Sequence, residues 1–246
     1  MKMYIISFYL CYRRFSDVPE APLESSFLEG YQNMPLVSLE EALIPVSSIF
    51  GDDLAKYVFI AKANCRHSDH SLTIDESAAI RLYTMEWTES ESSIYRILNA
   101  TLRLEDRHKI RPWFSYLKLI LTALHKLPSY EGTVWRRVSL NMNMIYVKGQ
   151  TIIWWAFYST TRQVEVLESQ EFTGKHGEQT VFSIQCKHGK EIGKYSYFQD
   201  DDEIILMPGA YLKVLGQMKL NANTTIIHLQ EIAPPVPLLP LPFDFS

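Results

Sequence analysis

The fold turns on residues 151–161, TIIWWAFYSTT. Apart from Ala156, its first seven residues are β-branched or aromatic, the types that suit a pleated, half-buried surface. Neither Trp154 nor Trp155 faces water cheaply, so the pattern predicts one strand buried on both sides. It ends in Tyr158, Ser159, Thr160 and Thr161, all hydroxyl-bearing. Hydroxyls there either cap a following helix or face a ligand.

Around this stretch the second half of the chain reads as strands: Thr133–Ser139, Thr180–Cys186, Ile204–Met207, Ala210–Leu215 and Thr224–Leu229. Gly149, Gly174, Gly177, Gly189, Gly193 and Gly209 fall between them as turn signals. The first half is helical. Ser38-Leu39-Glu40-Glu41 is a capping box opening a helix towards Pro45, and Thr73-Ile74-Asp75-Glu76 is a second, leading a helix through Met85. In the latter, Ile74, Ser77, Ala78, Arg81 and Leu82 set an amphipathic register. Helices are also expected from Asp53 to Asn64 and from Glu91 to Leu104, the second with Ile94, Ile97, Leu98 and Leu102 on its apolar face. A further helix from Pro112 to Leu127 carries the wide apolar stripe Trp113, Tyr116, Leu117, Ile120, Leu121 and Leu124, which marks a core element.

Helices first and strands second make the chain α+β, its sheets built mainly from antiparallel neighbours. The organisation reads as an N-terminal arm (1–34), one domain (35–233, helical over 35–129 and β over 130–233) and a Pro-rich tail (234–246). The prolines between Pro234 and Pro242 bar the tail from a sheet and suit polyproline II. Such a tail lies on its own protein's surface or docks a proline-binding domain.

Bulk properties exclude several classes. A composition of 47% hydrophobic and 21% charged residues is that of a soluble globular protein. A net charge of -4 argues against a nucleic-acid partner held by phosphate contacts. Cys11, Cys65 and Cys186 are too scattered for a disulfide framework and point to a reducing, cytoplasmic compartment. The apolar run Tyr4–Tyr12 is too short to span a bilayer. Arg13-Arg14 follows it with no small-residue cleavage site, which favours a non-signal reading without excluding secretion. Cys65, His67 and His70 have a metal-like spacing but no fourth ligand nearby, so they read as a polar loop and no metal is expected.

Three features of the β half carry chemistry. Arg136 lies mid-strand in VWRRV, where an arginine is costly to bury unless it meets an anion. Ser159-Thr160-Thr161 is the second. The third is the acidic run Asp200-Asp201-Asp202-Glu203, whose members repel and raise some of one another's pKa values. Alone the run reads as a solvated turn, and it lacks the alternating pattern of a calcium loop. Together the three are parts of a site holding phosphate at one end and developing positive charge at the other.

In order and spacing, Arg136, Ser159-Thr160-Thr161 and Asp201-Asp202-Glu203 resemble the arginine-specific mono-ADP-ribosyltransferases of the R-S-E type. The segments KGQTIIWWAFYSTT, VLESQEFTG and FQDDDEIILMPG, with the helical DESAAIRLYTMEW and RPWFSYLKLILTALHKLPS, look like the members found in bdelloid rotifers. The likeness runs from about Arg14 to Pro235. It implies the ADP-ribosyltransferase fold: a helical N-terminal half followed by two roughly perpendicular antiparallel sheets around an NAD cleft. It also implies transfer of ADP-ribose from NAD, or from NADP, to arginine side chains of an acceptor protein, with release of nicotinamide.

On that resemblance Arg136 clamps the dinucleotide phosphates, while Ser159 orients Glu203, which stabilises the ribosyl cation. Asp201 binds the acceptor guanidinium, Phe172 stacks on nicotinamide, and Arg137 and Thr160 belong to the NAD-binding set. Four positions depart from the family pattern. Arg137 replaces a frequent Gly, Ala156 and Tyr158 replace a Gly and a small hydroxyl residue, and Asp201 replaces Glu. The shorter Asp201 withdraws its carboxylate by roughly 1.5 Å. Two alternatives therefore stand beside transfer: NAD hydrolysis with weak transfer, and a non-catalytic NAD-binding or interaction module.

Overall fold

The computed structural model describes residues 28–65, 71–87, 93–163, 178–198 and 202–243. These fall into two compact units. Of the described residues, one holds those from Leu28 to Pro128, the stretch 192–198 and the tail from Val236; the other holds Ser129–Glu191 and 202–235.

The helical unit comprises α1 (Leu39–Leu43), α2 (Ser47–Phe50), α3 (Asp53–Ala63), α4 (Ile74–Thr84), α5 (Ile94–Leu102) and α6 (Phe114–Lys126). Both capping boxes form: Ser38 Oγ accepts from the Glu41 amide and Thr73 Oγ1 from the Glu76 amide, with the glutamates returning to the cap residues' N–H groups. The Glu76 carboxylate does more. Fully buried, it also receives Lys126 Nζ at 2.6 and 2.9 Å, tying α4 to α6. The amphipathic register expected of α4 is corrected: Glu76 to Thr84 are all buried, whereas Ile74 is 46% exposed. The helix is covered almost all round, as suits the middle of a core.

Pro112 stands inside a 3-10 turn, Arg107–Trp113, and α6 begins only at Phe114. The stripe Trp113, Tyr116, Leu117, Ile120, Leu121 and Leu124 is buried as expected. Ser93 caps α5, which buries Ile94, Leu98 and Leu102 but leaves Ile97 half-buried. The described part of the tail, 234–243, forms neither helix nor strand. Prolines accept hydrogen bonds but cannot donate them, and side chains of the helical unit supply the donors. Tyr31 Oη donates to Pro240 O at 2.5 Å, Lys118 Nζ donates to Pro242 O, and Leu238 is buried.

The other unit is a sheet of β1 (Ser129–Val138), β2 (Thr151–Trp154), β3 (Tyr158–Thr161), β4 (Gln179–Glu191), β5 (Glu203–Leu206), β6 (Ala210–Lys219) and β7 (Thr224–Glu231). Hydrogen bonding links them in the order β1-β3-β5-β4-β7-β6-β2, with β1 also pairing β4. Two sets thus share the long strands β1 and β4: a short β3/β5 pair and a β7/β6/β2 group. Pairing is antiparallel except between β4 and β7, which run parallel.

Two expectations change here. The strand expected over Thr151–Phe157 stops at Trp154, and its expected polar end, Tyr158–Thr161, is a strand of its own: β2 pairs with β6 and β3 with β5, on either side of the break Trp155-Ala156-Phe157. Trp154 is buried, whereas Trp155 is only half-buried. Gly189 does not separate strands but lies within β4, where an added Cβ would come 2.7 Å from Ile204 Cγ2 of β5. Gly209, with φ 86, makes the left-handed turn into β6.

Candidate active site

The site is built on β1, β3 and β5. In the β3/β5 ladder Ser159 stands opposite Ile205 and Thr161 opposite Glu203. Strand alternation puts Ser159, Thr161, Glu203 and Ile205 on one face, so Ser159 and Glu203 are diagonal neighbours. Ser159 Oγ donates to Glu203 Oε1 at 2.5 Å, with both residues buried. A carboxylate in so dry a place needs donors to stay charged, and Ser159 is one of them.

Arg136 reaches this pair from β1. Its Nη1 donates to Ser159 O at 2.7 Å and its Cζ lies 5.2 Å from the centre of the Tyr158 ring. Among the described residues no carboxylate pairs with it. The ring is itself fixed: Tyr158 packs on Trp154 at 4.2 Å, Trp154 meets Phe182 edge-on, and Trp154 Nε1 donates to Tyr146 Oη at 2.9 Å. The half-buried guanidinium is therefore held in place by neutral groups while its charge stays unmatched by these neighbours. That arrangement suits an anionic ligand.

The remaining hydroxyls have structural tasks within the strands. Thr160 Oγ1 donates to Ile204 O at 2.7 Å, and Thr161 Oγ1 accepts from the Gln163 amide. Arg137 points elsewhere than Arg136: it donates to Gln179 Oε1 on β4, and burial lowers its pKa. Tyr158, read in the sequence as a strand-end hydroxyl and as a departure from the family pattern, is the platform under Arg136.

Asp202 is not among the acids whose pKa the run raises. Hydrogen bonds from Arg162, at 2.6 Å, and from Gln163, together with the Arg162 charge, hold its carboxyl below the usual range rather than above it. Sequence reasoning passed over Arg162, whose place opposite Asp202 emerges only from strand register. Asp201, Phe172, His67, His70 and Cys11 lie outside the described residues. Among the described residues no group of three or more His, Cys, Asp or Glu could hold a metal, and no helix is long and apolar enough to cross a membrane.

Comparison with known proteins decides the kinship. The sequence model of NAD:arginine ADP-ribosyltransferases matches residues 54–234. The chain belongs to that family. Over 168 residues it is 30% identical to Mav of Mycobacterium avium (strain 104), named for NAD(+)-arginine ADP-ribosyltransferase activity; the match covers 66% of this chain and 18% of Mav. Over 124 residues it is 23% identical to Vis of Vibrio splendidus (strain 12B01), covering 48% of this chain and 49% of Vis. The matched stretches thus span less than half of either relative.

Among solved structures, Vis in complex with agmatine superposes with a TM-score of 0.53 at 22% identity, over 82% of this chain and 90% of that one. A eucaryotic mono-ADP-ribosyltransferase, ART2.2, gives 0.58 at 20% identity, over 86% and 92%. The fold is the α+β ADP-ribosyltransferase fold of this family.

Proposed function

We propose that this family member transfers ADP-ribose from NAD to arginine side chains of an acceptor protein and releases nicotinamide, and that residues 35–233 carry the activity. The observation that supports this best is the buried Glu203 carboxylate, hydrogen-bonded by Ser159 whose carbonyl is held by Arg136. Vis, with which the fold is shared, was solved with agmatine, a guanidinium compound.

Cleaving the nicotinamide–ribose bond leaves an oxocarbenium-like ribose, which a fixed carboxylate stabilises more than it stabilises neutral NAD. Glu203 is that carboxylate, and Ser159 holds it still. Arg136 receives the dinucleotide phosphates through its planar donors. With its side chain engaged on Gln179, Arg137 contributes its backbone to the nicotinamide end. Thr160 joins the NAD-binding set by keeping β3 and β5 in register. Phe172 stacks on nicotinamide, and Asp201 receives the acceptor guanidinium and helps remove its proton. NADP is admitted on the same grounds as NAD.

Asp201 favours a second product. A carboxylate withdrawn by roughly 1.5 Å binds the acceptor less well, and misplacement of about 1 Å can cost on the order of a hundredfold. Water then competes, giving NAD hydrolysis beside transfer. Adenylate-labelled NAD and an arginine-rich acceptor test both statements. Glu203→Ala should lose labelling and nicotinamide release together, and Asp201→Glu should raise transfer more than hydrolysis. Equal rises in both would show that Asp201 does not serve the acceptor.

A further inference from the structure

Arg162 has no part in the reading above, yet several strands converge on it. It stands one residue past β3, and Asp202 stands one residue before β5, so the two continue the β3/β5 register by a step. Arg162 Nη2 lies 2.6 Å from Asp202 Oδ1 and 3.2 Å from Glu191 Oε1, at the end of β4. Its Cζ lies 5.7 Å from the centre of the Tyr130 ring on β1. Gln163 Nε2 donates to the second Asp202 oxygen at 2.6 Å, so both oxygens of Asp202 are held from the β3 side.

A lone exposed ion pair stabilises little, and the Arg162 side chain is 33% exposed. Placement is what distinguishes this one. Asp202 and Glu203 are consecutive and project to opposite sides of the strand. Ser159 holds Glu203 on one side. Arg162 and Gln163 hold Asp202 on the other. The backbone between the two acids is thereby gripped from both faces at the point where β5 begins.

We infer that Arg162 is a positioning residue for Glu203 and acts through Asp202. By pinning Asp202 it fixes the start of β5, so that the Glu203 carboxylate is aimed before substrate arrives. By pairing with Asp202 it also balances a negative charge beside the carboxylate that must itself stay charged. The inference rests on Glu203 as the group that stabilises the ribosyl cation. A residue of this kind affects the chemical step more than substrate binding.

Nicotinamide release from NAD is measured for wild type, Arg162→Gln, Arg162→Lys, Asp202→Asn and the double variant Arg162→Gln/Asp202→Asn. Arg162→Gln should lower kcat roughly ten- to hundredfold with KM for NAD changed by less than about threefold. Arg162→Lys should restore part of kcat, and it carries the same test should the glutamine variant fail to fold. The double variant should lose clearly less than the sum of the two single losses, since each change breaks the Arg162–Asp202 pair.

An unchanged kcat, a raised KM with kcat intact, or additive losses in the double variant would overturn the inference. Hydrogen exchange at the 202–206 amides decides independently of turnover: faster exchange in Arg162→Gln supports it, and unchanged exchange overturns it. A wild type that releases no nicotinamide, or a Glu203→Gln variant as active as wild type, would instead sink the reading beneath. The exchange result still decides whether Arg162 anchors β5.

Discussion

Ser159 makes two contacts that give opposite orders to neighbouring groups: its hydroxyl donates to Glu203 and its carbonyl accepts from Arg136. Replacing it by alanine removes only the first. Ser159→Ala should therefore lower kcat roughly tenfold or more while KM for NAD changes little, because the Arg136 bond to the residue 159 carbonyl survives; steady-state nicotinamide release checks this. Asp202 gives a pH signature. Hydrogen bonding by Arg162 keeps its folded-state pKa below the unfolded value, so its contribution to stability is present above about pH 4 and fades as the pH falls through the lowered value. Melting curves of wild type and Asp202→Asn should differ at neutral pH and converge in acid. That Arg136, Ser159 and Glu203 come together was legible in the sequence because three weak motifs in fixed order constrain one another. Arg162 was not, because its partner is forty residues away and meets it only through register.

At the scale of elements, local chemistry was easy to read and neighbour choice was not. The capping boxes at Ser38 and Thr73 form because each satisfies helix N–H groups with residues three apart. Thr73→Ala should cost about 1 kcal/mol in urea denaturation. Glu76 links that cap to α6, so Lys126→Met leaves a fully buried carboxylate without its cation. Because Lys126 is 37% exposed, the expected loss is discounted to about 2 kcal/mol, below that of a fully buried pair, again read by urea denaturation. By contrast, nothing in TIIWWAFYSTT marks where β2 stops and β3 begins. Apolar periodicity reports burial, not which strand lies alongside, and Trp154 and Tyr158 stack across the break that separates them.

For the molecule as a whole, the order of helices then strands carried the fold class, and the family kinship agrees with it. The tail shows what order alone could not place. Its prolines ruled out a sheet, but its partners, Tyr31 and Lys118, lie 209 and 124 residues upstream of the carbonyls they bond. Ending the chain after Pro235 should leave the buried Tyr31 hydroxyl without its acceptor and lower the stability of the helical unit by about 1–3 kcal/mol, measured by circular dichroism in urea. Where the ADP-ribose goes is decided by following both products of one reaction. Wild type and Glu203→Gln are incubated with NAD and an arginine-rich acceptor, nicotinamide is quantified, and acceptor peptides are mapped by mass spectrometry. Nicotinamide release with ADP-ribose on arginine is expected in the wild type and neither in Glu203→Gln. Wild-type protein that binds NAD tightly yet gives neither nicotinamide nor modified arginine would contradict that expectation.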